Sequence, residues 1–357
     1  MALMVKKILL VLFVVLSVQS VGFGFEKHFR LVKAIGNDRD NYMFQRLSGA
    51  AMTEAKEIFA LDQLGSFVAK YNWQGNFIRK IGQKGKGPGD FLLPVHLRIL
   101  DNKLYLFDHY NARLAQMDLS LDNLQYYKID MSIFLRPTFD VLDRDSFLAT
   151  SLNCVSDPQI EGMGKILYVK NGTGVKKAFF DIHPTKKRVD AAKNNRLAHQ
   201  MDLFGDPTWG LDDSRRRILV SYIHPANPLA FYLYSTSGKQ LQEFEYQIDE
   251  KYSYPARLVN AKQISLKLLD GMHIATVVGI LFFDNSWYVF VDGKYYRTYK
   301  DYDREGFCLK FSSEGTFQER FDIEGGFIPF NFTKDGYLLG KKPDAEVEKL
   351  YIYKIIQ

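Results

Sequence analysis

Ile81-Gly82-Gln83-Lys84-Gly85-Lys86-Gly87-Pro88-Gly89-Asp90-Phe91 packs four glycines and a proline into eleven residues. It is flanked by two runs of β-type residues, Asn76-Phe77-Ile78-Arg79-Lys80-Ile81 before it and, beyond Pro94, Lys103-Leu104-Tyr105-Leu106-Phe107-Asp108. A glycine-rich loop invites a phosphate-binding reading, because successive backbone amides can cradle an anion. The motif fails that test. Gly87 is followed by Pro88 and Gly89, where a Walker loop needs Lys and then Ser or Thr. A dinucleotide fingerprint must open a helix, whereas Phe91 to Leu100 leads into another strand. Gly82, Gly85, Gly87, Pro88, Gly89 and Phe91 therefore read as a structural crossover between two small sheets.

Working outward, the runs on either side repeat. Glu57 to Asp62, Ser66 to Tyr71 and Asn76 to Ile81 match Lys103 to Asp108, Arg113 to Asp118 and Leu124 to Ile129 in order and length, including the Asp that ends each first run. Short strands joined by tight turns and recurring every ~40–50 residues are the pattern of propeller blades. A strand-opening proline recurs at Pro94, Pro137, Pro207 and Pro329, a position that tolerates a residue unable to donate to a ladder. The blades then run from about Leu47 to Ile81, Leu93 to Ile129, Leu135 to Ile182, Asp206 to Tyr246, His273 to Ile323 and Phe327 to Ile356. The sixth supplies only three strands. His28 to Gly36 reads like Asn76 to Gly82, and Phe44 follows its loop as Phe91 follows the later one, so residues 28–35 are expected to pair with Lys349 to Ile356 and close the ring. The expected fold is an all-β, six-bladed β-propeller of four-stranded antiparallel blades, occupying residues 25–357. His183 to Met201 and Asp249 to Asp270 fall outside the repeat and read as a helix-bearing insertion and a connecting stretch.

The Ile81 to Phe91 loop, with Pro94 and Leu104 to Asp108, resembles the inter-blade linker of six-bladed propellers of bacterial envelopes related to NHL-repeat proteins. The match is close over about residues 75–110 and fades to a blade rhythm elsewhere. The resemblance implies an exported six-bladed propeller and says little about chemistry.

Lys6 and Lys7 precede the apolar run Ile8 to Leu16, followed by the small residues Ser17, Ser20, Gly22 and Gly24. Residues 1–24 thus read as a secretory signal peptide, with an uncleaved anchor as the rival. No cysteine ends the segment, which argues against a lipid anchor. The expected address is the periplasm, cell envelope or extracellular space, with no stable membrane span after cleavage. The formal charge of +6 falls to 6 − 2 = +4 without Lys6 and Lys7. Basic clusters at Lys186-Lys187-Arg188 and Arg215-Arg216-Arg217 are interrupted by acids and read as solvated turns, so nucleic acid is not an expected partner. Cys154 and Cys308 leave pairing open, and the sequons at Asn171 and Asn331 matter only in a eukaryotic secretory pathway.

No Gly-x-Ser-x-Gly or His-Glu-x-x-His motif occurs. The histidines His28, His96, His109, His183, His199, His224 and His273 stand apart in sequence but could converge from several blades. His96, Trp209 and Asn331 each lie two residues after a strand-opening proline, and Asp140 lies near another, so these four are the candidate pocket. For Trp209 the competing reading is packing between blades. The sequence therefore predicts a monomeric binding or scaffolding module for a protein or glycan partner, without a resident cofactor. The alternative is a metal-assisted hydrolase or lyase at the channel mouth, of the lactonase-like or amidating-lyase-like kind, holding a divalent metal.

Overall fold

A computed structural model of the protein describes residues 24–36, 43–129, 138–155, 158–162, 164–170, 174–180, 207–223, 228–252, 270–298 and 300–356, with the side chains of 152–155 excepted. The two insertions expected at His183 to Met201 and Asp249 to Asp270 lie outside the described residues, apart from 249–252 and 270. So do residues 1–23, which hold most of the expected signal segment.

The described residues form six separate sheets, antiparallel except for one short parallel pair, arranged as blades. In blade one, Leu47–Met52, Ile58–Asp62, Phe67–Tyr71 and Phe77–Ile81 pair in sequence order from the inside of the ring outward. Blades two and four repeat that order from Pro94–Leu100 to Gln125–Lys128 and from Pro207–Leu211 to Gln240–Tyr246. Blade three differs from the four-strand expectation by a fifth, two-residue strand, Glu161–Gly162, which pairs in parallel with its outer strand Gly174–Phe179. Blade five carries three long strands, Met272–Phe283, Ser286–Thr298 and Asp301–Ser312, inside Phe317–Glu324.

Blade six is completed from the other end of the chain. Its outer strand is Phe29–Ile35, which pairs antiparallel with Leu350–Ile355 from Phe29↔Ile355 to Ile35↔Leu350. Phe29 and Ile35 are buried at the two ends of this strand while Arg30, Leu31 and Val32 face out. A five-residue helix, Gly24–His28, precedes it and stacks Phe25 on Phe29, with Phe321 and Tyr353 alongside. Pairing this way covers the edge of Leu350–Ile355, which would otherwise be open to another chain.

The hydrophobic core is divided into six clusters, and each lies in the seam between two adjacent blades. Every blade therefore buries both faces. That is why strands such as Ile58–Asp62 are buried at every position instead of alternating. Three seams have the inner strands in close approach at a glycine. A Cβ on Gly49 would stand 2.8 Å from the Leu97 amide, one on Gly210 would stand 2.2 Å from the Ile280 carbonyl oxygen, and one on Gly279 would stand 2.5 Å from the Pro329 ring.

Candidate functional site

The Gly82 loop spends its amides on itself. Gly85 N–H donates to Phe91 O (3.0 Å), Phe91 N–H to Gln83 O (2.8 Å), and Asp90 N–H to Gly87 O (3.2 Å). Gly87 N–H donates to Asp90 Oδ2 and Gly89 N–H to Tyr126 Oη, both at 3.0 Å. Gly82 holds a positive φ of 105°, and a Cβ there would stand 2.5 Å from the buried Phe91 ring. Its echo behaves alike: Gly36 has φ 104°, and Phe44 takes the place of Phe91. The aspartates that end the second strands clasp the linkers. Asp108 accepts from Leu92 N–H and from Arg113, while Asp62 accepts from Gln45, Arg46 and Gly65 N–H. These amides bind protein atoms, and the loop's geometry is that of a joint.

A cluster of charged groups ties blade three to both of its neighbours. Asp140, on its inner strand Phe139–Val141, is nearly buried. From blade two, Arg98 donates through Nε to Asp140 Oδ2 at 2.9 Å and through Nη1 to Leu97 O at 3.1 Å. From blade four, Arg215 donates through Nη1 to Asp140 Oδ1 at 3.3 Å and to Val141 O. Two adjacent blades are thus tied to the third through one carboxylate. Burial opposes ionisation of Asp140, but the two guanidiniums outweigh it and hold the carboxyl below its ordinary range.

His96 shares this environment. It is the bulged residue of the strand Pro94–Leu100, where pairing steps from Val95↔Phe107 to Leu97↔Leu106, and it carries φ 49°. Its ring meets Phe139 edge-on at 6.0 Å. Burial, and then the charge of Arg98, hold its pKa down to about 3, against the weaker pull of Asp140. At neutral pH the group is one anion, two cations and a neutral imidazole. Such a set offers fixed charges and hydrogen-bond donors to a polar ligand.

The structure brings together two of the four residues expected to form a pocket, His96 and Asp140. Trp209 lies buried in the seam between blades three and four, against Leu148, Ile166 and Phe179. Asn331 is half-buried on the inner strand of blade six, paired with Leu339, three blades away from Asp140. The bulge in that strand falls at Phe330, so by register His96 corresponds to Phe330 and not to Asn331. Sequence reasoning missed Arg98 and Arg215. Arg215 belongs to a triplet that reads as solvated, yet Arg217 also binds inward, to Asp212 at 3.1 Å. The available signal was the alternation of His96 and Arg98 on an inner strand.

His28 lies against Phe321 and Glu319, and His273 stacks on Tyr295 at 4.4 Å. His183, His199 and His224 lie outside the described residues. Among the described residues no group of three or more His, Cys, Asp or Glu side chains is placed to hold a metal ion. Cys308 is a fully buried free thiol, and the side chain of Cys154 lies outside the described residues. No helix among the described residues is long and apolar enough to cross a membrane.

Six sheets, six seam cores and a ring closed by the N-terminal strand define the class: the chain is a six-bladed β-propeller. A family model described as a 6-bladed beta-propeller (DUF5128) matches residues 14–164. Among solved structures, the chain is similar to a member of the DUF4221 family from Bacteroides vulgatus at 9% identity and a TM-score of 0.56, covering 93% of this chain and 99% of that one. It is also similar to a Bacteroides fragilis protein named for predicted export, at 11% identity and a TM-score of 0.56, covering 92% of this chain and 94% of that one. At these identities the likeness is one of fold. No curated protein matches the sequence.

Proposed function

We propose that this protein is an exported binding module, directed out of the cytoplasm by residues 1–24, whose propeller presents its channel to a protein or glycan partner. The observation that supports binding over catalysis is that Asp140 is held by two guanidiniums, Arg98 Nε at 2.9 Å and Arg215 Nη1 at 3.3 Å. A general acid or base works best with a pKa near the operating pH. Asp140 is held ionised by two arginines and His96 is held neutral down to about 3, so neither is poised to exchange a proton near pH 7. Fixed charge, with donor capacity left on Arg98 and Arg215, suits recognition of a polar or acidic group on a partner. Export is supported by the charged start, short apolar core and small residues of the first 24 positions.

The test is capture from native envelope extract with protein purified from the envelope of expressing cells, with the wild type set beside the double variant Arg98→Met/Arg215→Met. The reading expects a specific partner retained by the wild type and lost by the folded double variant. Protease or glycosidase treatment of the extract then tells which class the partner belongs to. A full-length, unprocessed product confined to the cytoplasm, or no partner retained above an unrelated propeller, would overturn the reading.

A further inference from the structure

Blade five overshoots the ring. Its strands Met272–Phe283, Ser286–Thr298 and Asp301–Ser312 run 12, 13 and 12 residues, where the corresponding strands of blade one run five or six. The inner strand meets blade six at Gly279, against Pro329, so the residues before Gly279 and the hairpin around residues 291–306 stand beyond that contact. At 3.3 Å per residue, six extra residues give an overhang of roughly 20 Å.

One face of this hairpin carries a built polar surface. The register sets Asp292 opposite Gly306, Lys294 opposite Arg304, and Tyr296 opposite Tyr302. Side chains two apart on a strand share a face, so all of these point the same way. The two tyrosine rings lie 5.4 Å apart at the outer end. Behind them the Asp292 and Arg304 side chains are only 8% and 9% exposed, with Asp292 Oδ1 and Arg304 Nε 3.3 Å apart. That separation lacks hydrogen-bond direction: Asp292 Oδ1, Arg304 Nε and Arg304 Nη1 are all buried without a hydrogen-bond partner. Lys294 Nζ stands 3.7 Å from Asp292 Oδ2. The cover is Asp344 of blade six, 56% exposed, whose carboxylate stands 3.3 Å from Arg304 Nε and accepts from Tyr302 Oη at 3.2 Å.

Buried polar atoms in a native fold are nearly always satisfied, so an unfilled acceptor beside unfilled donors marks a place for something else. From this arrangement we infer a binding site for a neutral saccharide on the overhanging face of blade five, a deepening that rests on the reading of the chain as an exported binding protein. Two acids, Asp292 and Asp344, and two bases, Lys294 and Arg304, meet here, so the cluster has no net charge to attract an ion. A hydroxyl both receives from Arg304 and gives to Asp292, and adjacent hydroxyls on a sugar ring match two such groups at once. Tyr296 and Tyr302, whose rings meet at the outer end with Lys294 and Arg304 over the Tyr302 ring, supply the aromatic surface for the ring carbons. Asp344, the half-exposed member, yields its place on Arg304 as the sugar enters.

The test is a panel of immobilised neutral oligosaccharides (glucans, mannans, galactans and xylans) probed with the protein purified from the envelope. Beside the wild type stand Arg304→Lys, Tyr302→Ala and, as control, Arg144→Ala on blade three. The inference expects at least one neutral oligosaccharide bound, weakened roughly tenfold or more by Arg304→Lys and by Tyr302→Ala, and unchanged in Arg144→Ala. Tyr302 is at the surface, so its variant keeps the test valid should Arg304→Lys fail to fold. Binding of no neutral saccharide, or binding indifferent to both variants, overturns the inference, and an ordered water filling the gap would give that result. If envelope capture still depends on Arg98 and Arg215 while the panel is empty, the saccharide site alone falls. If both are empty, the binding reading falls with it.

Discussion

The seams between blades four and five and between blades five and six are closed differently from the two that flank blade three. In the first pair the inner strands approach until only glycine fits: Gly210 against the Ile280 carbonyl, Gly279 against the Pro329 ring. Around blade three the blades are joined through charge, Arg98 from the inner strand of blade two and Arg215 from the first turn of blade four both reaching Asp140. Contact closure leaves no room between the inner strands themselves. Charge closure costs desolvation of the groups it joins. The difference teaches that the ring is held by close backbone contact over part of its circumference and by a shared carboxylate around blade three.

The comparison breaks most completely at Gly210. A Gly210→Val side chain would meet backbone at 2.2 Å, not a yielding side chain, so the account expects a loss of about 3 kcal/mol or more and failure to accumulate folded protein, read by thermal melting. At the charge-closed seams, Asp140→Ala strands two arginines. Their partial exposure moderates the cost, and the expected loss is about 2–3 kcal/mol by urea unfolding, with much of it recovered in the triple variant Asp140→Leu/Arg98→Met/Arg215→Met.

Acid sharpens the contrast further. The folded-state pKa of Asp140 lies below its unfolded value, so its contribution is complete above the unfolded pKa and is lost as pH falls through the folded one. The pKa of His96 is also depressed on folding, so the unfolded chain binds the proton first and stability declines from about pH 6.5 toward 3. The variant His96→Asn, which tolerates φ 49° and cannot titrate, should flatten the decline in melting temperature over that window. An unaltered slope would remove His96 from the account. The smallest effect belongs to Arg144, 3.8 Å from Asp101 with both side chains well exposed; Arg144→Ala should change stability by less than about 0.5 kcal/mol.

How far the sequence carried this reading follows the range of the interactions involved. The Gly82 loop, the aspartates Asp62 and Asp108 and the strand-opening prolines act within a few residues of themselves or on the next strand, and repeat often enough to phase the ring. Closure by Phe29–Ile35 was legible because that strand repeats the Phe77–Ile81 pattern. The inner cluster was only half legible. Arg98 and Arg215 lie 42 and 75 residues from Asp140, and ring curvature alone brings them together. Counting from proline failed for Asn331 because a bulge shifts one strand by a residue relative to the other. The long hairpin of blade five had no turn signal to separate it from an ordinary blade, and its polar face shows only once Lys294 is set against Arg304.

The claim that the channel binds and does not transfer protons is tested most directly on His96. Histidine-selective NMR of the folded protein, assigned through His96→Asn, follows the imidazole between pH 8 and 4. A His96 signal that stays neutral throughout, consistent with a pKa of about 3, is the result expected. A His96 that titrates near 6.5 would put a proton-transfer group back in the channel and contradict the account.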